Sequence, residues 1–372
     1  MPLYLTDDQI MLRDTARDFM ASEGAIASQL RKYRDMSCKD GFGHALWRQF
    51  GEMGFNGILV DEADGGLGLG HVEAGIVLEE IGRNLTPSPF LITAVAVVEA
   101  LRGTPHRERW LPGILAGETV AALAVDEGAK HRPEAIATRA TRSGNGFRLS
   151  GGTKQFVVQG ASADFLVVAA QAEEGLTLFA VEKETGGIQV EGIRLADGSI
   201  GARIAFEDVE VDADAVIGEV GQGSAILGRV LNAGRVGAAA EMVGLGSAAM
   251  DMTVDYLKQR KQFGRLIGEF QILQHRSAHL YSELEIARAA ALKAQQLLDE
   301  GSAEAEAMVC VAKAKAGRVS TLAVQEGVQM HGGIGMTDEY DIGLYMKRDR
   351  VLNELFGDPN YQADKLARLL GY

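Results

Sequence analysis

The sequence predicts an α+β protein with several domains: a helical domain over residues 1–118, a middle β barrel or sandwich over 119–222, and a helical bundle over 223–372. Three observations lead to this prediction. Its length of 372 residues corresponds to roughly two or three domains. The apolar pattern changes from helical to short β-branched runs near Glu118, and the helical period returns after Gly223.

Helix signals dominate the first part of the chain. Thr6 and Gln9 have the spacing of a capping box, which predicts a helix starting there. The stretch Asp64–Gly70, DGGLGLG, has too much glycine for a regular element, and Leu91–Leu101 is apolar on nearly every side. We therefore expect several helices interrupted by a glycine-rich loop, with the helix at Leu91–Leu101 buried.

The middle part has the pattern of an all-β domain of about a hundred residues. Short apolar, β-branched runs alternate with turn sequences such as SGNG, SGG, EEG, TGG and DGS. The expected strands include Gly146–Leu149, Phe156–Val158, Phe165–Ala169, Leu176–Val181 and Arg203–Phe206. This pattern favours a small barrel or sandwich.

The last part predicts long helices packed side by side. One apolar stripe has steps of four and three residues, and it consists of Leu280, Leu284, Ala287, Ala291, Ala294 and Leu298. Gly301 is expected to end that helix, and Ser302 can cap the next one, which runs towards Met330. Two long helices joined by a tight turn form an antiparallel hairpin of a bundle.

Composition and motif spacing disfavour several functions. The net charge of −14 opposes a nucleic-acid groove. No apolar run is long enough for a membrane span, and the N-terminus lacks an export signal, so we expect a cytoplasmic protein. His275 and His279 lie four residues apart without a third ligand in view, so no metal site is predicted. The run Lys347–Arg350 favours a solvated or ion-paired turn.

Two segments carry a specific signal. Tyr256–Leu280 reads YLKQRKQFGRLIGEFQILQHRSAHL, and Val328–Gly343 reads VQMHGGIGMTDEYDIG. Together with the glycine-rich loop DGGLGLG, this sequence resembles the acyl-CoA dehydrogenase family of flavoproteins over essentially the whole chain. The resemblance implies a helical N-terminal domain, a middle β domain and a C-terminal four-helix bundle, usually in a tetramer. It also implies FAD as cofactor, an acyl-CoA substrate and an electron-transfer flavoprotein as electron acceptor.

The resemblance assigns cofactor contacts to residues of the C-terminal part. Arg260 offers a charged fork for the FAD pyrophosphate, and in the family this arginine reaches the FAD of a neighbouring subunit. Phe263 and Gln271 match neighbouring cofactor positions. Backbone amides are expected to approach the cofactor at Gln329 and at the pair Gly332 and Gly333.

The middle domain departs from the family pattern. The family's Thr-Glu-Pro loop is Val125–Lys130, VDEGAK, in this chain, and the flavin-contacting Trp-Ile-Thr is Phe156, Val157 and Val158. Phe156 can still stack on a ring, whereas Val158 lacks the hydroxyl. The resemblance therefore implies weaker FAD binding, or binding mainly through a partner subunit.

A general base is required to remove the α-proton of a thioester. Most family members carry a glutamate at the position of Gly357, and others carry one at the position of Gly234, just before Arg235, which matches a contact to CoA. Both positions lack a carboxylate. The backbone N–H of Gly357 would still be available to hold the thioester carbonyl.

Three interpretations of the missing base remain open. Asp358 could act as the base, although Asp358-Pro359 has the pattern of a helix N-cap followed by N1. Glu241 lies two helical turns beyond Gly234 among apolar residues, and it could be the base or pair with Arg229 or Arg235.

In the third interpretation, a partner subunit supplies the glutamate. The chain resembles the small subunits of two-gene dehydrogenases that act on pimeloyl-CoA or on steroid side-chain CoA esters. We therefore expect one subunit of a homo- or hetero-tetrameric, FAD-dependent acyl-CoA dehydrogenase. A non-catalytic structural or regulatory subunit is the alternative.

Overall fold

Helices form the beginning and the end of the chain, and strands form its middle. The structure is a computed structural model that describes residues 3–372. The helices are α1 Asp7–Ser22, α2 Lys32–Asp35, α3 His44–Glu52, α4 His71–Asn84, α5 Val98–Leu101, α6 His106–Leu115, α7 Gly223–Gln259, α8 Gln271–Asp299, α9 Ala305–His331, α10 Ile342–Glu354 and α11 Pro359–Leu369. Over residues 3–372, no helix combines the length and the apolar character needed to cross a membrane.

The strands of the middle region form two sheets. They are β1 Ala121–Ala124, β2 Arg139–Ser143, β3 Gly146–Ser150, β4 Thr153–Val158, β5 Phe165–Ala172, β6 Gly175–Glu182, β7 Ile188–Arg194, β8 Ile200–Phe206, β9 Val209–Val211 and β10 Val216–Ile217; a separate hairpin, β11 Lys261–Gln262 and β12 Arg265–Leu266, follows α7. One sheet has the order β10-β6-β5-β2-β3-β9, with β1 parallel to β5, and the other has the order β4-β8-β7. This arrangement of helices, sheets and helices confirms the predicted fold class.

The chain divides into two compact units, which we describe separately. The first consists of the described part of Met1–Ser28 with His71–Thr86 and Arg235–Tyr372, and the second consists of Gln29–Gly70 and Pro87–Gly234. The division into three domains after residues 118 and 222 stays a prediction.

The second unit contains a β core to which both sheets contribute. Val157 from β4 and Ile204 from β8 belong to the same buried cluster as Leu166 and Val168 from β5 and Phe179 from β6. The alternation of buried and exposed residues along these strands produces this apolar layer.

The first unit is a helical bundle in which α8 and α9 form the predicted antiparallel hairpin. Helices α4 and α7 cross with their backbones in contact. A Cβ atom at Gly82 would lie 2.0 Å from the carbonyl oxygen of Glu241, and one at Gly244 would lie 1.9 Å from that of Glu79. Glycine is therefore required at both positions by the close approach of the helices.

Local sequence signals correspond closely to the observed element boundaries. Thr6 and Gln9 form both bonds of the capping box, so this prediction is confirmed. The buried segment at Leu91–Leu101 is helical, but it is a π-helix over Phe90–Val97 before α5. Helix α9 begins at Ala305, and the Ser302 hydroxyl accepts from the Glu304 amide at 3.2 Å instead of capping the helix directly.

Candidate active site

Helix α7 carries the arginine and the glutamate that the sequence assigned to the site. Arg235 is only 1% exposed. Its Nε donates to the carbonyl oxygen of Phe356 at 3.1 Å, and its guanidinium lies 5.6 Å from the centre of the Tyr361 ring. Burial lowers its pKa. Arg235 therefore supports the loop around Gly357 from inside the bundle, whereas a contact to CoA stays a prediction.

The loop after α10 adopts a backbone conformation that suits glycine. Gly357 has φ +100°, and a Cβ atom there would lie 2.4 Å from Cδ1 of Tyr361. Its N–H, which the sequence suggested as a holder of the thioester carbonyl, donates to the carbonyl oxygen of Glu354 at 3.2 Å. Gln362 Nε2 donates to the carbonyl oxygens of Phe356 and Gly357 at 2.8 and 3.2 Å. Glu354 of α10 and Gln362 of α11, on either side of the loop, thus hold its backbone in place.

A fully buried lysine lies beneath the same loop. Lys313 in α9 donates to the carbonyl oxygens of Leu352, Asn353 and Gly357 at 2.9, 3.3 and 3.3 Å. Burial is the main reason that the pKa of Lys313 falls to about 7, and the positive charge of Arg235 lowers it further. Arg235 and Lys313 thus bind carbonyl oxygens at the end of α10 and in the loop that follows it.

Asp349 of α10 is a buried carboxylate that accepts hydrogen bonds from three side chains. It is 4% exposed and accepts from the Ser320 hydroxyl at 2.5 Å, the Thr321 hydroxyl at 2.8 Å and the Asn353 amide at 2.9 Å. Burial raises its pKa, and these hydrogen bonds act in the opposite direction. Asp349 and its donors tie the end of α10 to α9.

Glu241 forms a buried ion pair, but with a partner that the sequence did not indicate. Arg348 approaches its Oε1 with Nε at 2.8 Å and with Nη2 at 2.6 Å, and Glu241 is 1% exposed. The sequence left Arg229 and Arg235 open as structural partners of Glu241, and the ion pair observed is with Arg348. The prediction of a solvated or ion-paired turn at Lys347–Arg350 is wrong about the turn, because these residues lie within α10, but Arg348 and Lys347 are ion-paired, with Glu241 and Asp338.

Asp358 is the N-cap of α11. Its Oδ1 accepts from the backbone N–H groups of Asn360 at 3.0 Å and Tyr361 at 2.8 Å, and Pro359 occupies the first helical position. This carboxylate satisfies helix donors that would otherwise lack partners. The geometry favours the capping interpretation of Asp358 over a catalytic one.

The cofactor candidates near the end of α7 are exposed. Phe263 and Gly264 form the turn of the β11–β12 hairpin with φ values of +54° and +79°, as a type I′ turn requires. The Phe263 side chain is 90% exposed, and Arg260 and Gln271 also face solvent. A large exposed aromatic ring between these polar groups is suited to covering a ligand or a second subunit.

The second group of cofactor candidates lies at the end of α9. Gln329, Gly332 and Gly333 are exposed, and Gly332 has φ +64°. A Cβ atom at either glycine would have no neighbour within 4 Å. The glycines therefore leave room above the backbone, as the approach of a cofactor requires.

The β-domain candidates belong to the second unit and differ in exposure. Phe156 is half-buried with φ +53°, whereas Val157 and Val158 are 1% and 7% exposed. Val157 is part of the β core. Only Phe156 of the three presents a substantial exposed surface to a ligand.

The loop that would hold the flavin and pyrophosphate in this unit is closed by its own side chains. Asp126 accepts from the Arg132 amide at 2.9 Å, and its other carboxylate oxygen lies 2.7 Å from Nδ1 of His131. Glu127 accepts from Nζ of Lys154 at 2.6 Å and from Thr138. The carboxylates of Asp126 and Glu127 are thus bound to neighbouring residues of the same unit.

The part of the chain that the structure describes contains no group of side chains that could bind a metal ion. Among residues 3–372, no three His, Cys, Asp or Glu side chains are grouped so that they could hold a metal ion. His275 and His279 lie on α8 with exposed side chains.

Sequence reasoning missed Lys313 and Asp349. Lys313 and Lys315 occur in the same run, AKAKA, so their immediate neighbours are alike. Only the helical phase distinguishes them: Lys313 is in line with Val309 and Ser320, both buried, whereas Lys315 pairs with Glu283. The helical phase of Lys313 was therefore the feature of the sequence from which its burial could have been predicted.

Comparisons with known proteins agree with this architecture. The chain matches the acyl-CoA dehydrogenase N-terminal domain over residues 6–118 and the acyl-CoA dehydrogenase C-terminal domain over residues 221–371. It is 31% identical to cyclohex-1-ene-1-carbonyl-CoA dehydrogenase of Geobacter metallireducens, with 96% of each chain covered.

Two solved structures have the same fold over nearly the whole chain. A variant of the Tcur3481-Tcur3483 steroid ACAD has a TM-score of 0.89 at 29% identity, with 98% of each chain covered. The ChsE4-ChsE5 complex from Mycobacterium tuberculosis has a TM-score of 0.90 at 23% identity, covering 100% of this chain and 99% of that one, and its likeness concerns the fold alone.

The fold and these matches define an oxidoreductase that acts on CH–CH groups. The chain belongs to the acyl-CoA dehydrogenase family, which is flavin-dependent.

Proposed function

We propose that this chain is one subunit of a heteromeric acyl-CoA dehydrogenase that introduces an α,β double bond into an acyl-CoA thioester. FAD, when bound, supplies the acceptor for the β-hydride. The reaction also needs a base for the α-proton, and we propose that a related partner subunit provides it.

The observation that carries this proposal is the backbone at Gly357. Its φ of +100° and the position of Tyr361, 2.4 Å from the place of a Cβ atom, leave no room for a glutamate side chain in this loop conformation. The second position that the resemblance indicates is Gly234. Neither position can provide a carboxylate.

Glu241 does not replace the missing base in this proposal. A general base must reach the proton that it removes, and Glu241 is 1% exposed with Arg348 at 2.6 Å. A carboxylate paired with a guanidinium in a buried setting is stabilised in its charged form but is not accessible. We therefore assign to Glu241 the role of joining α7 to α10.

The residues present fit FAD shared between subunits. Arg260 and Phe263 project on an exposed hairpin segment, and Gly332 and Gly333 leave their backbone open. On the β-domain side Val158 offers no hydroxyl. We propose that this chain contributes Arg260, with its exposed charge, to FAD that is held mainly by the partner.

The solved relatives support a two-chain enzyme. The ChsE4-ChsE5 structure is described as a complex of two named chains, and it shares this fold. We propose a hetero-tetramer with a related subunit and an electron-transfer flavoprotein as the electron acceptor. The steroid ACAD suggests a bulky acyl group.

Anaerobic flavin bleaching tests the proposal. The chain is purified alone and after co-expression with a family member that retains the catalytic glutamate, and both are mixed with straight, branched, dicarboxylyl and steroid side-chain acyl-CoA esters. We expect bleaching only from the complex, together with the 2,3-enoyl product.

Two results would contradict the proposal. Bleaching by the chain alone that disappears in Glu241→Gln would make the chain a self-sufficient enzyme. A complex whose flavin and turnover are unaffected by Arg260→Met in this chain would indicate a structural subunit. The exposed Lys261→Met is the matched control, because it removes a neighbouring positive charge.

A further inference from the structure

A cavity of about 350 Å³ lies within the first unit, lined by residues of α1, α4, α7 and α8. This volume is at the lower end of ligand sites, which span roughly 300–1,000 Å³. Its apolar lining includes Val72, Ile76, Ala240, Val243, Ala291 and Leu292, together with Leu3 and Leu5 of the segment before α1. The cavity thus offers an apolar surface large enough for a small ligand.

Charged side chains also line the cavity, and arginines outnumber glutamates among them. Four arginines and two glutamates line it, in a protein whose net charge is −14. The arginine side chains stay partly exposed, at 37% for Arg13, 48% for Arg17 and 33% for Arg288. Partly solvated guanidinium groups beside an apolar surface are suited to an anionic group with an apolar tail.

Each of the lining arginines has an acidic partner, and Arg13 pairs with Asp14 at 2.8 Å and Arg83 with Asp251 at 2.5 Å. Arg17 donates to Glu80 at 2.8 Å, and Arg288 donates to Glu79 and, at 2.9 Å, to the hydroxyl of Ser247. Nevertheless, the pKa of Arg288 is lowered, first by burial and then by the positive charges of Arg17 and Arg13. Arg17 and Arg13 therefore lie close enough to Arg288 for their charges to act on it.

A buried amide also faces this cavity. Gln295 is 5% exposed, lines the cavity, and forms no hydrogen bond with any other residue in the range 3–372. Gly75 makes room for it, since a Cβ atom there would lie 2.0 Å from Nε2 of Gln295. The amide atoms of Gln295 are accessible from the cavity, so they can form hydrogen bonds with a ligand there.

We propose that this cavity binds a small amphipathic carboxylate, at a site separate from the loop at Gly357. The carboxylate lies between Arg288 and Arg17 and accepts from the amide of Gln295, and the apolar tail contacts Ile76 and the other apolar lining residues. A carboxylate matches the fork of a guanidinium.

Isothermal titration calorimetry on the full chain tests this site, with octanoate as the probe. Acetate supplies the head group alone, 1-octanol the tail alone, and inorganic phosphate a different anion. We expect one octanoate per chain, bound at least tenfold more tightly than the other three compounds. Equal binding of acetate or phosphate would overturn the proposal, since it would indicate a general anion site.

Variants locate the binding. Gln295→Leu removes the amide and keeps the size, and Arg288→Met removes the charge; each is expected to weaken octanoate binding at least tenfold. Arg276→Met, also on α8 but paired with Glu326 outside the cavity, is the matched control and should bind as the wild type does.

A variant that fills the cavity tests the site even if Arg288→Met does not fold. Leu292→Trp places a larger ring in the cavity and should abolish octanoate binding while circular dichroism stays unchanged. Octanoate affinity that is the same in Gln295→Leu, Leu292→Trp and the wild type would overturn the proposal.

Discussion

Replacing Lys313 by methionine should remove a large part of the pH dependence of stability. The side chain is fully buried, and its pKa in the folded protein is about 7 instead of the ordinary 10.5. The unfolded chain therefore binds a proton that the folded chain has released at every pH between these two values. Stability rises with pH across this window, because the unfolded state binds more protons.

The size of the effect follows from the two pKa values. The difference between 10.5 and about 7 corresponds to about 5 kcal/mol, at about 1.36 kcal/mol per pH unit. Below pH 7 both states are protonated, so the folded protein bears the full penalty of burying the charge. As the pH rises from 7.5 to 9.5, the wild type should gain stability from Lys313, with a slope that reaches about 1.4 kcal/mol per pH unit midway between the two pKa values.

Urea unfolding of the wild type and Lys313→Met at pH 7.5, 8.5 and 9.5 measures this gain. The free energy of unfolding of the wild type minus that of the variant should increase by about 2.5 kcal/mol over these two pH units. Lys315→Met is the matched control, because Lys315 is in the same helix but partly exposed and paired with Glu283. A difference for Lys313→Met that stays constant with pH would refute the reasoning.

Three further substitutions test the loop and the ion pair, each by urea unfolding. Asp358→Ala should lower the free energy of unfolding by about 1 kcal/mol through loss of the N-cap, and no loss would contradict the capping role. Gly357→Ala should lower it by about 1–3 kcal/mol through backbone strain and by more than Gly144→Ala, which has φ +56° but no neighbour within 4 Å; equal costs would argue against crowding by the aromatic ring. Glu241→Gln should cost about 3 kcal/mol by leaving Arg348 without its carboxylate, and Arg348→Met in the same chain should restore part of it; additive losses would exclude this pairing.

The features that the sequence predicted are those set by local patterns. The Thr6 capping box and the apolar stripe of α8 depend on spacings within a few residues, and both are present. The strands of the β region depend on short β-branched runs between turn residues, and they lie close to the expected positions. The family resemblance of the segment Tyr256–Leu280 agrees with the matched family.

The features that the sequence did not predict depend on contacts between distant residues. Glu241 and Arg348 are 107 residues apart, whereas the suggested partners Arg229 and Arg235 were near in sequence. The hydrogen bond from the Gly357 N–H depends on the path of a loop, which no periodicity encodes. Burial of Lys313 depends on helical phase against α10, because its sequence neighbours equal those of Lys315.

Exchange of the substrate α-protons with D₂O measures base activity at the thioester most directly, without turnover of the enzyme. The chain alone, and its complex with a glutamate-bearing family member, would be incubated with the acyl-CoA panel in D₂O, and deuterium at the α-carbon would be followed by mass spectrometry. We expect incorporation from the complex and only the buffer rate from this chain alone. Incorporation by the chain alone, lost in Glu241→Gln but retained in Asp358→Asn, would contradict the assignment of the base to the partner.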